Sequence, residues 1–538
     1  MNLTSIEFSE LPVTKLFLDY TTNFSSLNSF FETDPFSVEA IEERLNSYSF
    51  PGDRALTLQF LKQYNQQFDA GDEIEKSLDK LADENAIAMV TGQQLTLFGG
   101  PLFTAYKILT LLAYSKKWEK QLNRPIVPVF WMADEDHDYE EAATIGVPAG
   151  DDFKKMEFET DGKGKRVFDI ELGKHIEPFL EEIKNLQLDT DFSDQLWDDL
   201  KKFYQSDATF GEAFGKWILH LFGKHGLILA GSNHPTAKKL LSKQIQSGIE
   251  NAEKNYRSLT DKSEELVSAG YHQQVHLQNS NLFWIDQNKN RQKISLENGK
   301  WTADGRETDW TTDSLIKDIE QNPQHYSPNV FLRPVLQNFL IPSVAYVAGP
   351  GEIAYYAQTK EYYRDFGVKQ PIIIPRFSAT LFESGVDRIF EKLPFKMPDY
   401  NQRIEDLEAS YIEHAETPDI EKIFGQWRDK VSDVSGAFIK DVSEIDPTLK
   451  KSSEKVKAAF FTELDKLKGK VYRSIKDQEK TQLKRIRKIQ ANLFPERNLQ
   501  EREVAFIYIM NKYGSSVWDR LLELFENESP DSHKIIRL

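Results

Sequence analysis

The sequence contains no cysteine, and this absence excludes several kinds of chemistry at once. Without thiols the 538-residue chain cannot form disulfides, use a thiolate as a nucleophile, or build a zinc site on sulfur ligands. A chain without disulfides fits a reducing compartment, so we expect a cytoplasmic protein.

Long apolar runs are absent as well. No stretch of eighteen consecutive apolar residues occurs, and residues 1–17 lack the basic and apolar regions of a signal peptide. We therefore expect neither a membrane partner nor secretion. The net charge of −18 argues against a general nucleic-acid-binding protein, because such proteins are normally basic in at least one domain.

The acidic balance has one local exception. The stretch from Lys466 to Lys488 holds ten lysines and arginines and only two acids. Two interpretations stay open: the stretch is the solvated face of a long helix, or it is a patch that contacts the phosphates of a nucleotide.

Five short apolar runs, each bounded by glycine, proline or polar residues, predict buried parallel strands. Helical patterns follow most of them, and this alternation is typical of a doubly wound α/β sheet. Residues 281–305 form a different pattern, which predicts a small antiparallel β meander with a turn near residues 288–290. The five runs are Ala86–Val90, Ile126–Met132, Leu227–Ala230, Ser343–Ala348 and Pro371–Pro375.

The pattern changes near residue 390, where apolar residues begin to recur every three or four positions. Trp427, Val434 and Phe438 belong to this series, which predicts long amphipathic helices packed as an antiparallel coiled coil with a turn at Asp446-Pro447. The apolar seam can be buried within the hairpin or by a second subunit, and we expect a homodimer. The predicted organisation is a core of residues 1–390 with an inserted α+β region at about 150–325, a coiled coil of residues 391–500, and a helical segment of residues 501–538 that returns to the core.

Ligands of open α/β sheets bind beyond the carboxyl ends of the strands, so the loops that follow the predicted strands are candidate sites. The first loop follows Val90 and contains two adjacent glutamines and a Gly-Gly-Pro sequence ahead of a helical pattern. Its glycines let the backbone approach a ligand, and free N–H groups at a helix start favour an anion. The spacing is not that of a Walker A loop, and a plain strand-to-helix connection is the alternative. The candidate residues are Gln93, Gln94, Gly99, Gly100, Pro101 and Lys107.

The second loop places four carboxylates around one imidazole directly after the strand that ends at Met132. Such a group can orient an amine, accept its proton or hold a metal ion, while helix capping is the alternative. Neighbouring carboxylates favour the protonated imidazole, so we expect a raised pKa for His137. The candidate catalytic residues are Glu135, Asp136, His137 and Asp138.

The third loop follows Ala348 and is similar to the first loop. It too combines a flexible backbone, the start of a helix and polar side chains. Side chains three residues apart lie near one helix face, which groups the polar residues of this loop. Its candidate binding residues are Gly349, Pro350, Gly351, Glu352, Tyr355 and Gln358. Other strand ends add Asn233, Arg376, Ser378 and Thr380, of which the last three are suited to phosphate oxygens.

Several long motifs resemble one family. The motifs "FGGPLFTAYK", "PVFWMADEDHDYEEA", "AYVAGPGEIAYYAQ", "IIIPRFSATLFE" and "LQEREVAFIYIMNKYG" are similar, in this order, to signatures of the cysteine ligase family of bacillithiol biosynthesis (the BshC family). The resemblance extends from about residue 86 to residue 514, and motifs of this length are specific.

The resemblance implies a Rossmann-like nucleotide-binding core similar to class I aminoacyl-tRNA synthetases, with connecting-peptide insertions and a dimer-forming C-terminal α-helical coiled coil. It also implies an ATP-dependent reaction, with Mg²⁺, that joins the carboxylate of cysteine to the amine of glucosaminyl-malate. By position, the Gln93 and Gly100 loop and the Arg376 segment would hold phosphates or carboxylates, and residues 135–138 would handle the amine. The HIGH-type and KMSKS-type signatures of synthetases and a cysteine-based zinc site are missing from this sequence.

Two other functions are compatible with these residues. One is a related nucleotidyl transferase or amide ligase with a different amine acceptor. The other is a non-catalytic nucleotide-binding scaffold that captures partners through its coiled coil. The acidic cluster argues against the scaffold, because a scaffold has no use for it.

Overall fold

The computed structural model describes every residue except 161, 163 and 415–418, and every side chain except those of residues 414, 476 and 478 as well. Within that part of the chain the strands form four sheets. The strands are β1 (Asn2–Ile6), β2 (Ile87–Gln93), β3 (Ile126–Met132), β4 (Thr144–Ala149), β5 (Asp152–Glu157), β6 (Ile228–Ala230), β7 (Leu282–Ile285), β8 (Arg291–Glu297), β9 (Lys300–Ala303), β10 (Tyr326–Pro328), β11 (Ser343–Ala348), β12 (Ile372–Pro375), β13 (Ser378–Phe382) and β14 (His533–Arg537).

Helices connect and cover these strands along the whole chain. In the first half they are α1 (Lys15–Thr22), α2 (Val38–Asn46), α3 (Arg54–Gln66), α4 (Asp72–Leu81), α5 (Leu102–Leu122), α6 (Tyr139–Ala143), α7 (Ile176–Asn185), α8 (Ser193–Phe203), α9 (Phe210–Phe222), α10 (Pro235–Glu250) and α11 (Ala252–Ser268). In the second half they are α12 (Thr312–Gln321), α13 (Leu332–Leu340), α14 (Pro350–Tyr356), α15 (Lys360–Asp365), α16 (Ser384–Phe390), α17 (Ile404–His414), α18 (Ile420–Ile445), α19 (Lys450–Gln478), α20 (Lys480–Leu493), α21 (Gln500–Glu503), α22 (Phe506–Tyr513) and α23 (Ser516–Phe525).

The central sheet has the order β12-β11-β2-β3-β6, and its strands are parallel. These are the five strands that the apolar runs predict, so the doubly wound α/β fold is confirmed. The chain winds outward from β2 in one direction and then crosses to β11, so the switch point lies between β2 and β11. One boundary was wrong, because β2 continues to Gln93 and includes the start of the predicted loop.

The stretch from about residue 150 to 325 contains both added elements and a core strand. The predicted meander is present as β7, β8 and β9, and β10 extends it to a four-stranded sheet. The core strand β6 also lies within this stretch, so the added elements are not one uninterrupted insertion. The four-stranded sheet matters for the site because β8 begins at Arg291, which faces the central cavity.

Helices α18 and α19 form the predicted antiparallel hairpin, and the chain reverses at Asp446. Their apolar side chains remain largely exposed in the single chain; Val434 is 72% and Phe438 is 59% exposed. After α20 the chain packs against the core, where the Leu102 N–H donates to the Val504 carbonyl. It then adds β14, a strand that was not predicted, between β1 and β13.

The basic stretch from Lys466 to Lys488 lies on α19 and α20. Lys468 pairs with Glu421 and Arg487 with Glu408, so part of its charge is neutralised by neighbouring helices. The side chain at position 476 lies outside the described residues. As for membranes, none of the helices described has both the length and the apolar character needed to span a bilayer.

Candidate active site

A cavity of about 870 Å³ lies at the carboxyl ends of the central strands. Gln93 at the end of β2, Ala133 after β3, Gly349 after β11 and Arg376 after β12 all line it. The parallel register brings these ends level, since Gln93 pairs with Met132 and Ala348 with Pro375. The cavity is therefore at the switch point, where α/β sheets bind their ligands.

The first loop enters the cavity through Gln93, Gln94, Gly100 and Pro101. Gly100 has a φ of +78°, a conformation that favours glycine, and a side chain there would collide with Thr96. Gly99 does not line the cavity, because it packs against the ring of Phe506.

The expected free N–H groups at the start of α5 are partly covered by the C-terminal segment. The N–H of Leu102 donates to the carbonyl of Val504 at 2.9 Å. In the other direction, the N–H of Phe506 donates to the carbonyl of Gly100 at 3.0 Å. The expectation of an open anion site at this helix start is therefore wrong for Leu102. The cationic side chain of Lys107 also lines the cavity.

Lys107 folds back from α5 to the end of β2. Its Nζ donates to the carbonyl of Gly92 at 2.8 Å and to Oε1 of Gln93 at 3.0 Å, and it lies 2.6 Å from Oε2 of Glu352. Burial lowers the pKa of Lys107, and the Glu352 carboxylate opposes this shift. The ion pair joins the first predicted loop to the third across the switch point.

The third loop is held by Glu352, whose carboxylate accepts hydrogen bonds from the Gly349 N–H and the Tyr346 hydroxyl, both at 2.8 Å. Tyr355 lines the cavity from the same helix, as do Pro350 and Gly351. Gln358 was predicted to share their face, and this was wrong because α14 ends at Tyr356. The Gln358 amide is fully buried and donates to Ser263 at 2.9 Å.

The second loop lines the cavity with Asp134, Glu135 and Asp136, and the first two of these are deeply buried. Asp134 is 1% exposed and accepts hydrogen bonds from the Tyr64 hydroxyl at 2.9 Å and from the Ser232 N–H at 3.1 Å. Burial raises the pKa of Asp134 to about 7, and the hydrogen bonds that it accepts oppose the shift. Glu135 is also buried, and its ion pair with Lys238 outweighs burial and holds its pKa below the usual value.

Asp136 also lines the cavity, and it is linked to the first loop. Its Oδ2 accepts a hydrogen bond from Nε2 of Gln94 at 2.9 Å. Glu140 and Glu141, which were not predicted, also line the cavity. Partial enclosure of Glu141, together with the nearby Asp138 carboxylate, raises its pKa.

Two predicted catalytic side chains lie outside the cavity lining. Asp138 caps α6, where it accepts a hydrogen bond from the Glu141 N–H at 3.1 Å, so the capping alternative applies to this residue. Nδ1 of His137 lies 3.0 Å from the Glu135 carbonyl. The expected raised pKa of His137 was wrong, because burial and the positive charge of Arg291 lower it.

Four arginines line the cavity, namely Arg291, Arg333, Arg376 and Arg502, and only Arg376 was predicted. Its guanidinium pairs with the buried carboxylate of Glu501 at 2.7 Å. Arg291 stacks on the Phe283 ring at 4.0 Å, and Arg333 donates a hydrogen bond to the Tyr355 hydroxyl at 3.3 Å. Within the part of the chain that the structure describes, no carboxylate lies within 4.0 Å of Arg291 or Arg333.

The remaining predicted phosphate ligands are occupied by protein partners and do not line the cavity. The Ser378 hydroxyl donates to Glu501 at 2.9 Å and contacts Nδ1 of His533 at 2.8 Å, and Thr380 contacts Nε2 of the same histidine at 2.8 Å. Asn233 accepts a hydrogen bond from Arg166. Ser378 and Thr380 belong to β13 and lie on one face of that strand, where they meet Glu501 and His533 instead of a ligand.

The cavity therefore carries side chains of both charges. Asp136, Glu140 and Glu141 supply carboxylates to its lining, and Lys107, Arg291, Arg333 and Arg376 supply cations. Such a site complements a ligand, or a pair of ligands, that carries both ammonium and oxyanion groups. Among the described side chains, no group of three or more histidines and acids is arranged to hold a metal ion.

Fold and cavity together define an enzyme with a Rossmann-like domain followed by a C-terminal coiled coil. Comparison with known families agrees, because residues 1–377 match the model "Bacillithiol biosynthesis BshC, N-terminal Rossmann-like domain" and residues 379–538 match "Bacillithiol biosynthesis BshC, C-terminal coiled-coil domain". The chain belongs to the BshC family of bacillithiol biosynthesis.

Curated relatives match over nearly the whole chain. A protein of Salinibacter ruber is 30% identical over 525 residues, which cover 97% of this chain and 96% of the relative. Proteins of Chlorobaculum tepidum (29% identical, 90% and 89% covered) and Koribacter versatilis (29% identical, 99% of both) are similar. All three are named "Putative cysteine ligase BshC", and the enzyme class of this chain is accordingly a ligase.

Proposed function

We propose that this protein is an ATP-dependent ligase that joins the carboxylate of cysteine to the amine of glucosaminyl-malate, the last step of bacillithiol biosynthesis. The observation that carries the proposal is the combination of carboxylates and cations in the lining of the cavity at the switch point. Glucosaminyl-malate carries one amine and two carboxylates, so both the carboxylates and the cations of the cavity have a partner in this acceptor.

A carboxylate does not react with an amine until it is activated, and ATP provides that activation by forming a mixed anhydride. The charge that develops on the phosphate and carboxylate oxygens needs fixed positive groups nearby. Lys107 and Arg376 are suited to this role because each is held in place by a carboxylate at 2.6 and 2.7 Å. Mg²⁺ bound to ATP would neutralise further phosphate charge.

The amine of the acceptor must lose a proton before or while it attacks the activated carboxyl carbon. Asp136 and Glu141 face the cavity and can orient the ammonium group by hydrogen bonds. The raised pKa of Glu141 makes it the better base of the two, because a carboxylate with a higher pKa holds an abstracted proton more firmly. We therefore assign proton acceptance to Glu141 and orientation to Asp136.

The proposal includes a homodimer that forms through α18 and α19 and acts in the cytoplasm. The exposed stripe of Trp427, Val434 and Phe438 supports the dimer, because a second copy would bury side chains that are 51–72% exposed in one chain. The lack of cysteine supports a reducing compartment.

A turnover assay tests the proposal directly. Purified protein is incubated with cysteine, glucosaminyl-malate, ATP and Mg²⁺, and the products are identified by mass spectrometry. We expect bacillithiol together with AMP or ADP, and the nucleotide product shows which phosphate bond is broken. Product formed only with another amine would favour a related ligase, and nucleotide binding without any turnover would favour the scaffold.

A further inference from the structure

One buried ion pair joins the two parts of the chain that separate family models match. Nη2 of Arg376 donates to Oε1 of Glu501 at 2.7 Å, and the two side chains are 3% and 2% exposed. Arg376 belongs to the Rossmann-like part, residues 1–377, and Glu501 to the coiled-coil part, residues 379–538. The C-terminal part thus reaches a residue that lines the cavity.

The Glu501 carboxylate is fixed on both of its oxygens. Oε1 accepts a second hydrogen bond from the Ser378 hydroxyl at 2.9 Å, and Oε2 accepts one from the Ala379 N–H at 2.9 Å. Burial disfavours its charge, but Arg376 outweighs burial and lowers the pKa of Glu501. The carboxylate is therefore an anchored anion beneath the cavity.

His533 reinforces this anchor from the last strand. Its two ring nitrogens contact the hydroxyls of Ser378 and Thr380 at 2.8 Å, and the ring is fully buried. Ser378 in turn donates to Glu501, so β14 and α21 hold the same side of β13. These residues make more contacts than would be needed only to neutralise the charge of one arginine.

Arg376 is held in a single orientation by these contacts. Its Nη1 donates to the Phe377 carbonyl at 3.0 Å and its Nη2 to Glu501, which leaves the Nε edge facing the loop after β11. Nε lies 3.5 Å from the position that a Cβ atom on Gly349 would take. The glycine keeps this edge of the guanidinium open to the cavity.

We propose that Glu501 is a positioning residue that aims the Arg376 guanidinium into the cavity, so that the C-terminal part of the chain completes the active site. Arg376 binds an anionic group of a substrate, and Glu501 acts only through Arg376. The nature of the substrate rests on the proposed function, whereas the capture of a guanidinium by Glu501 does not.

Chemical rescue tests the capture without any assay of activity. In Arg376→Ala, methylguanidinium ion can enter the vacated space and pair with Glu501. We expect methylguanidinium chloride to raise the Tm of this variant by about 1–2 °C relative to the same concentration of potassium chloride. The rise disappears in Arg376→Ala/Glu501→Gln, and an equal rise in both proteins would overturn the proposal.

A double-mutant cycle tests the positioning role in turnover. Glu501→Gln raises the KM of one substrate about 10- to 100-fold, Arg376→Ala raises the KM of the same substrate, and the double variant is no worse than Arg376→Ala alone. Gln500→Leu is the matched control, because it removes the neighbouring α21–β13 hydrogen bonds to Leu381 and leaves the ion pair in place. Additive losses, or an equal KM change in the control, would show that Glu501 is merely structural.

Arg376→Lys replaces Arg376→Ala in this cycle if the alanine variant does not fold. Lysine keeps the charge but lacks the planar fork, so the same non-additivity is expected. If the wild-type protein makes no bacillithiol, the proposed function fails, while the rescue experiment still decides whether Glu501 holds the guanidinium.

Discussion

Nζ of Lys107 lies 2.6 Å from Oε2 of Glu352, and this ion pair connects the loops that follow β2 and β11. The side chains are 5% and 18% exposed, so water solvates neither charge well. Each charge therefore depends on its partner for stabilisation. The pair closes the switch point of the sheet and keeps a cation at the base of the cavity.

Substitutions of Lys107 and Glu352 should affect the stability and the activity of the protein differently. Glu352→Gln leaves the Lys107 charge buried without its partner and is expected to destabilise the protein by about 3–5 kcal/mol. Lys107→Met/Glu352→Gln should recover most of that stability, because no uncompensated charge remains, yet stay inactive. Denaturant unfolding and the turnover assay measure the two effects, and recovered activity in the double variant would exclude a catalytic role for Lys107.

Two residues of the acidic loop, Asp136 and Asp138, provide a test variant and its matched control for the amine site. Asp136→Asn should lower kcat/KM at least about 100-fold, because a carboxylate that faces the cavity is lost. Asp138→Asn should change it little, since asparagine caps a helix as well as aspartate does. A large loss in Asp138→Asn would restore the sequence-based assignment of that residue to catalysis.

Arg333 should set the affinity for the acceptor. Arg333→Lys keeps the positive charge but loses the planar fork that suits a carboxylate, so the KM for glucosaminyl-malate should rise about tenfold with little change in kcat. Steady-state kinetics with each substrate varied in turn provides the measurement. A change confined to the KM for ATP would instead assign Arg333 to the nucleotide.

The coiled coil predicts a change of oligomeric state. Val434→Glu places a charge in the exposed apolar stripe and should convert a dimer into a monomer of 62.2 kDa. Lys440→Glu, on the same helix but off the stripe, introduces a larger change of charge and should leave the dimer intact. Light scattering after size exclusion distinguishes the two masses, and a wild-type monomer would contradict the proposed dimer.

His533 predicts how stability depends on pH. Burial lowers its pKa from 6.5 to about 4, so the folded state stays unprotonated while the unfolded state takes up a proton as the pH falls through 6.5. The contribution is complete above pH 6.5 and is lost as the pH falls to about 4, with a total of about 3 kcal/mol.

The variant His533→Gln should lack this part of the acid destabilisation. Its unfolding free energy, compared with that of the wild type across the same pH range, gives the difference directly. The exposed His272→Gln is the control for the loss of one imidazole. If the unfolding free energies of wild type and His533→Gln change in parallel with pH, His533 is not the source of the acid destabilisation.

The sequence predicted the central sheet well because its strands are buried on both faces. Fully apolar runs such as Ile126–Met132 are legible without any knowledge of their neighbours. The strand β14 was not predicted, because His533 and Lys534 interrupt its apolar pattern. They fit only through contacts with distant residues, as between His533 and Ser378.

The candidate site was only partly predictable for a related reason. Backbone loops at strand ends follow from local patterns, and Gln93, Gly100 and Gly349 do line the cavity. Arg291 and Arg333 reach the cavity only because β8 and α13 dock beside it, and no local signal marks such docking. Ser378 begins the separate strand β13, and the contacts of its side chain likewise depend on what packs against that strand.

The pairing of β1 with β14 affects the order in which the parts of the nascent chain can fold. Asn2 lies opposite Arg537, so the residues of β1 wait for a strand that is made much later in synthesis. Until then β1 and β13 lack the strand that separates them, and Glu501 and His533 have not reached Arg376 and Ser378. A nascent chain can therefore form the Rossmann-like sheet early, but it acquires a finished active site only after residues 500–537 have emerged from the ribosome.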